Sequence, residues 1–143
     1  MAKASVTEEL PASADEAWAR LEDFGDMSAW APDAKVVEST GSGAGAVRHV
    51  DAGDGHYVER CESFDAEARR FEYRLLESPH PYDSYLGEVT LTPIDDDRCR
   101  IEWKSEFEIQ GVPIKAVIKA VEDTYRDIFI GELRKTLEAQ GGT

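Results

Sequence analysis

Arg48 and Glu59 stand on either side of Gly53-Asp54-Gly55, a turn sequence that joins two strand-like runs, Ala46 to Asp51 and His56 to Phe64. A two-residue turn, whether Gly53-Asp54 or Asp54-Gly55, pairs odd positions with even ones across the hairpin. With Arg60 and Glu62 facing solvent, the inward set is Arg48, Val50, Tyr57, Glu59 and Cys61. Arg48 and Glu59 are then opposite or diagonal neighbours on an otherwise apolar face. A lone buried charge costs several kcal/mol, so the two are expected to satisfy each other. Two roles are open to such a pair. It is a structural bridge, or it is a polar anchor in a cavity. As an anchor, Glu59 is a candidate base for an acidic C–H or hydroxyl, while Arg48 or Tyr73 polarises a carbonyl oxygen. An arginine that favours the ionised carboxylate also weakens it as a base.

Other chemistries find little support. Cys61 and Cys99 face inward, but no inward histidine stands beside either, because His49 shares the outer face with Val47 and Asp51 and His56 lies at the hairpin tip. The three histidines, His49, His56 and His80, lack metal-ligand spacing, so no metal is expected. His80, in Pro79-His80-Pro81, is read as an exposed loop residue, with the mouth of a cavity as its alternative position. Asp95-Asp96-Asp97 lacks the spaced oxygens and terminal glutamate of a calcium loop and reads as a solvated turn. Gly41-Ser42-Gly43-Ala44-Gly45 lacks the lysine and following helix of a phosphate loop.

The elements that position these residues follow from periodicity. Residues 3 to 10 form a first strand with Val6 and Leu10 on one face and Glu8 beside them. Ser13, with Glu16 three residues on, has the form of a capping box. The helix it opens carries Ala14, Ala17, Trp18, Leu21 and Phe24 on one face and ends at Gly25. Asp26 caps a second, short helix, Met27 to Trp30, stopped by Pro32. The period is then two through Ala34–Thr40, the hairpin strands, Arg70–Leu76, Ser84–Thr92 and Cys99–Glu108. Outward charges place Phe71, Tyr73 and Leu75 inside, then Tyr85, Gly87, Val89 and Leu91, then Cys99, Ile101, Trp103, Ser105 and Phe107. From Ile114 the period returns to 3.6. Ile118, Val121, Tyr125, Ile128, Phe129, Glu132 or Leu133, and Leu137 continue the stripe of one amphipathic helix of about 25 residues. No second domain or internal repeat is visible, and residues 1–143 are expected to form one domain.

Composition bounds the partners. The chain has 143 residues, with 16 Lys plus Arg against 30 Asp plus Glu, a formal net charge of −14. Nucleic-acid and anionic-membrane surfaces need a basic stripe, and they are excluded as partners. The hydrophobic share of 41% belongs to an ordinary globular chain, and no run approaches the ~20 apolar residues of a membrane span. The first residues lack the apolar core of a secretory signal, and a cytoplasmic location is expected. Such a strongly twisted sheet is not fully covered by one long helix. Tyr57, Tyr73, Tyr85, Trp103 and Tyr125, with Trp30 on the short second helix, are large inward residues with polar tips. They either fill a core or line a pocket for a small molecule.

The order of strand, capped helix, short helix, six-stranded meander and long helix resembles the START-like helix-grip superfamily, also called SRPBCC. Within it, Gly45-Ala46-Val47-Arg48, Tyr57-Val58-Glu59-Arg60, Asp65, Tyr73, Pro81, Tyr85 and Trp103 resemble the polyketide cyclase/dehydratase-like branch. So do Leu10-Pro11-Ala12-Ser13-Ala14-Asp15-Glu16-Ala17-Trp18 and Asp23-Phe24-Gly25. The resemblance implies an α+β helix-grip fold, an antiparallel sheet of six or seven strands curved around a long C-terminal helix, with a cavity between them. The expected partner is a small hydrophobic or aromatic, lipid- or polyketide-like molecule. Arg48, Glu59, Tyr73 and Tyr85 would be the polar contacts, and Trp30, Trp103, Phe107 and Tyr125 the walls, with Tyr57 a further ligand-binding residue. The alternatives are a cofactor-free cyclase or dehydratase that uses Glu59 and Arg48, and a protein-interaction module of co-chaperone type.

Overall fold

A computed structural model describes residues 1–141. Strands β1 (Ala2–Leu10), β2 (Lys35–Thr40), β3 (Val47–Ala52), β4 (Gly55–Asp65), β5 (Arg70–Glu77), β6 (Tyr82–Asp95) and β7 (Arg98–Ile109) form one antiparallel sheet in the order β1-β7-β6-β5-β4-β3-β2. Helix α1 (Ala14–Ala19) connects β1 to the far edge of this sheet. After β7 the chain runs through α2 (Ile114–Asp123), a π-helical stretch Thr124–Ile130, and α3 (Gly131–Gly141). This is the helix-grip arrangement expected from the sequence. No helix among the described residues is long and apolar enough to cross a membrane.

Strand parity holds along most of the sheet. Phe71, Tyr73, Tyr85, Val89, Leu91, Cys99, Ile101, Trp103 and Phe107 are buried. The opposite face is an ion-pair lattice: Glu88 takes Arg70 and Lys104, and Glu62 takes Arg60 at 2.7 Å and Arg74 at 3.0 Å. Each such exposed pair contributes about 0–1 kcal/mol, so the lattice mainly keeps charge on the solvent side. A bulge in β4 between Cys61 and Ser63 breaks the parity and turns Phe64 inward, 5.4 Å from the Trp18 ring.

The helices correct the sequence expectation in three places. Ser13 does cap α1, accepting the Glu16 N–H at 3.1 Å, but the helix stops at Ala19. Asp23 Oδ1 accepts the Gly25 N–H at 3.0 Å, a local bond that competes with a further helical turn. Leu21 and Phe24 are buried all the same. Gly25 is not a left-handed cap either; a Cβ there would lie 2.8 Å from Ser39 Oγ, so its small size lets the chain pass close to β2. The expected single turn capped by Asp26 forms, but as a hydrogen-bonded turn and not as a second short helix. Asp26 Oδ1 takes the Ser28 N–H at 2.9 Å, and Met27 O accepts from Ala31 N at 2.8 Å.

The third correction concerns the long helix. Its buried residues are Tyr125, Ile130, Leu133 and Leu137, while Ile128 is 48% exposed and Ile114 40% exposed. The step of five from Tyr125 to Ile130 is one π turn, which rotates the apolar stripe about the helix axis. Before that turn, α2 buries none of its residues fully and stands off the sheet. Beyond it, α3 is tied down: Arg134 donates to Glu8 Oε1 at 2.9 Å and Glu9 O at 3.1 Å, and Thr136 Oγ1 donates to Ala29 O at 2.7 Å.

Gly87 in β6 sets the position of the buried Tyr73 phenol. A Cβ at residue 87 would fall 2.6 Å from the Tyr73 hydroxyl oxygen and closer still to its ring carbons. The bare backbone is therefore the bed on which Tyr73 lies. Gly87→Ala is expected to cost about 1–3 kcal/mol through overpacking. In a Tyr73→Ala background the same change should cost less than about 1 kcal/mol, because its obstacle is gone. Urea unfolding of the four proteins measures the coupling, and equal costs in both backgrounds would show that Tyr73 is not the constraint.

Candidate functional site

The gap beneath α2 is a cavity of about 790 Å³. Its sheet side lies over β3 to β6, where Val50, Tyr57, Glu59, Tyr73, Leu75 and Tyr85 reach the wall. Its helix side is lined by Ala116, Val117, Ala120 and Val121 from α2 and by Tyr125 and Phe129 from the π stretch. Two alanines four residues apart on the facing side of α2 leave volume that larger side chains would fill. The turn of residues 27–34 closes one end with Met27, Ala31 and Ala34.

The hydrogen-bonded polar groups along and behind the inner wall fall into three sets. Arg48 and Glu59 are directly opposite in the β3–β4 ladder, and Arg48 Nε donates to Glu59 Oε1 at 2.8 Å. Arg48 is 2% exposed. Its Nη1 donates to Phe24 O at 3.0 Å, and its guanidinium carbon lies 4.0 Å from the centre of the Phe24 ring. Glu59 reaches the cavity wall with one carboxylate oxygen held from behind.

Tyr73 is the second set. Its hydroxyl oxygen accepts the Trp103 Nε1–H at 3.0 Å, which leaves the phenol proton for another acceptor. Burial first, and then the neighbouring Glu59 charge, push this phenol up to about 12. Tyr85 and Tyr125 are the third set, with their hydroxyls bonded to each other. Burial raises both well above the ordinary tyrosine value. A pair of phenols holds two protons and uses one in its shared bond, so it too can donate.

A fourth group stands at the mouth. Asp54, at the hairpin tip, accepts from the Tyr57 hydroxyl at 2.5 Å and pairs with His80 Nε2 at 2.8 Å. Burial would raise the Asp54 carboxyl, but the bonds from Tyr57 and His80 outweigh it and hold the group below its usual range. Gly55, with φ at +144°, faces Pro79 so closely that a Cβ would meet it at 2.8 Å, and this packs the 78–81 loop on the hairpin. His80 is thus both half-exposed and part of the cavity's rim.

Of the residues singled out in the sequence, Tyr57, Glu59, Tyr73, Tyr85 and Tyr125 share the cavity wall. Trp30, Arg48, Trp103 and Phe107 lie behind it. Trp103 and Phe107 are fully buried on β7, and that strand contributes to the wall only through Ile109. Parity assigns a face of the sheet, whereas the tight seating of the π stretch and α3 decides which inward residues are covered. Phe107 stacks on Tyr85 at 5.7 Å, and Trp30 packs 5.0 Å from both Trp103 and Phe129, so these rings brace the wall. Sequence reasoning passed over Asp54, Tyr82 and Gly87. The Pro79-His80-Pro81 loop was the one available signal for the mouth.

Both cysteines are free and buried. Burial pushes the Cys99 thiol up to about 11 and raises Cys61 as well, so neither is an activated nucleophile. Among the described residues no group of three or more His, Cys, Asp and Glu side chains is arranged to hold a metal ion. What the arrangement offers is an apolar enclosure with phenol donors and one oriented carboxylate.

Three solved structures share this architecture over nearly the whole chain. The protein XoxI from Bacillus cereus matches at 22% identity with a TM-score of 0.85, covering 99% of both chains. Norcoclaurine synthase from Thalictrum flavum, a point mutant in complex with a transition-state analogue, matches at 19% identity and 0.75, covering 98% of this chain and 96% of its own. The Zhui aromatase/cyclase from Streptomyces sp. R1128 matches at 20% identity and 0.72, covering 96% and 92%. At these identities the likeness is one of fold. A comparison with curated proteins finds no match. The sequence pattern of one family spans residues 1–138, and on that match the chain belongs to the polyketide cyclase/dehydrase and lipid transport family.

Proposed function

We propose that this protein binds a small hydrophobic or aromatic molecule in the cavity under α2. Glu59, Tyr73 and the Tyr85–Tyr125 pair would meet the polar atoms of the ligand, and Tyr57 would contact it at the mouth. Arg48 positions Glu59, while Trp30, Trp103 and Phe107 keep the wall rigid. The observation that carries the reading is the enclosure itself: about 790 Å³ lined mainly by apolar and aromatic groups, with phenols and the Arg48-held Glu59 carboxylate on its sheet side. Of the exposed large hydrophobic residues, Val112 and Ile128 are part of its rim.

A second reading, a cofactor-free cyclase or dehydratase, is supported by the family and by the presence of an aromatase/cyclase among the structural relatives. In that case Glu59 takes a proton from a carbon next to a carbonyl, and Tyr73 donates a hydrogen bond to the oxygen on which charge develops. Binding in a folded conformation would supply much of the rate.

Thermal-shift and native mass-spectrometry screening with sterols, flavonoids, aromatic polyketides and aliphatic amphiphiles is expected to yield a stabilising one-to-one complex. Ala120→Trp, which fills the space beneath α2, should abolish it while the protein stays folded; retained binding would place the site elsewhere. Turnover of a bound compound by the wild type, lost in Glu59→Gln with binding retained, would establish the enzyme. Binding without turnover in either protein would establish a carrier.

The phenols also give a pH signature. A proton held more tightly in the folded state stabilises the fold below the unfolded phenol value of 10, and that stability is lost as pH rises toward about 12. The melting temperature is therefore expected to fall between pH 10 and about 12, less steeply in Tyr73→Phe. An identical slope in the two proteins would contradict the burial argument.

A further inference from the structure

The charged residues that line the cavity are Asp33, Asp54, Glu59 and Glu132, and among its described lining residues there is no lysine or arginine. From this we infer that the cavity selects ligands without an anionic group, and that among amphiphiles of one shape it prefers the protonated amine. The inference rests on the binding reading above, since the enclosure is the site and the carboxylates set only its sign.

The bases nearest these acids do not offer themselves to a ligand. Arg48 is buried behind Glu59 and is engaged by it and by Phe24 O. His80 is turned toward Asp54, and Lys135 Nζ sits on Glu132 at 3.3 Å. Asp33 has no ion pair among the described residues. A carboxylate or phosphate entering here would give up its hydration in an apolar enclosure whose neighbouring bases are already paired, next to carboxylates and within the field of a chain of net charge −14. An ammonium finds the opposite. Carboxylates are among the lining residues, and so are the aromatic rings of Tyr57, Tyr82 and Phe129, the class of side chain that makes cation–π contacts. A neutral alcohol meets neither the penalty nor the gain. The amine, alcohol and acid of one scaffold therefore rank in that order. Fatty acids are among the amphiphiles rejected.

The test is titration of the full chain at low and moderate salt with two matched series, naphthylethylamine, naphthylethanol and naphthylacetate, and decylamine, decanol and decanoate. In each series the amine is expected to bind roughly tenfold or more tighter than the acid, with the alcohol between and the gap narrowing as salt rises. Asp33→Asn combined with Glu132→Gln should shrink the gap between amine and acid by about threefold or more while leaving the alcohol unchanged, an outcome that loss of structure would not give. If the alcohols bind and the acids bind as tightly as the amines, the inference falls and the cavity reading stands. If none of the six compounds binds, both fall.

Discussion

A guanidinium that is 2% exposed must recover inside the protein what it gives up in water, a desolvation cost of several kcal/mol, and the structure around Arg48 is arranged to do so. Glu59 faces it across the β3–β4 ladder, Phe24 O accepts a second bond, and the Phe24, Trp30 and Tyr73 rings lie 4.0, 5.3 and 5.7 Å away. These partners come from the connection after α1, from two strands and from the turn that ends at Pro32. One side chain thereby fixes the relation between the hairpin and the segment that closes the cavity, and it fixes the orientation of Glu59. An apolar pair of similar volume in place of both residues would serve stability as well, but removing Arg48 alone would leave the Glu59 carboxylate without a partner.

The second constraint is the π turn. An α-helix that continued the 125, 129, 132 stripe would lay Ile128 or Glu132 against the sheet. The i to i+5 step instead seats Ile130 and Leu133, both fully buried, and leaves α2 with its apolar side toward a void. A strongly amphipathic helix without tight packing partners is stable here because β1 holds it. The edge strand's Ser5 N–H donates to Glu122 Oε2 at 3.0 Å, and the Glu8–Arg134 pair holds the far end. Firm anchoring beyond Tyr125 and loose seating before it produce a cavity with one rigid wall and one that moves more easily.

Most of the sheet was legible because outward charges alternate cleanly with inward apolar residues. Arg100, Glu102, Lys104 and Glu106 alone assign Trp103 and Phe107 to the interior. The opposition of Arg48 and Glu59 followed from the turn, and the observed register is one of the two expected. What alternation could not give was depth. Trp103 and Tyr85 both face inward, yet Tyr85 borders the cavity and Trp103 lies under Tyr125 and Phe129. That difference depends on where the helix sits, and a π turn leaves no mark in a 3.6-residue pattern. The end of α1 was equally invisible, since Leu21 and Phe24 keep helical spacing although the helix stops at Ala19. Asp54 read as a turn residue because its partner His80 comes from a loop distant in sequence.

Binding and catalysis make the same demands on this wall up to the last step. Both need phenols that stay protonated, which burial secures for Tyr73, Tyr85 and Tyr125. Both need Glu59 held in one orientation, which Arg48 secures by engaging Oε1. A donor array of this kind stabilises a carbonyl oxygen whether or not the adjacent carbon loses a proton. On the proposed reading this geometry is preorganised for oxygen recognition, and chemistry would begin only when the bound molecule presents an acidic hydrogen to the Glu59 carboxylate. The protein would then fix the acceptor and the donors, and the ligand would decide between storage and reaction.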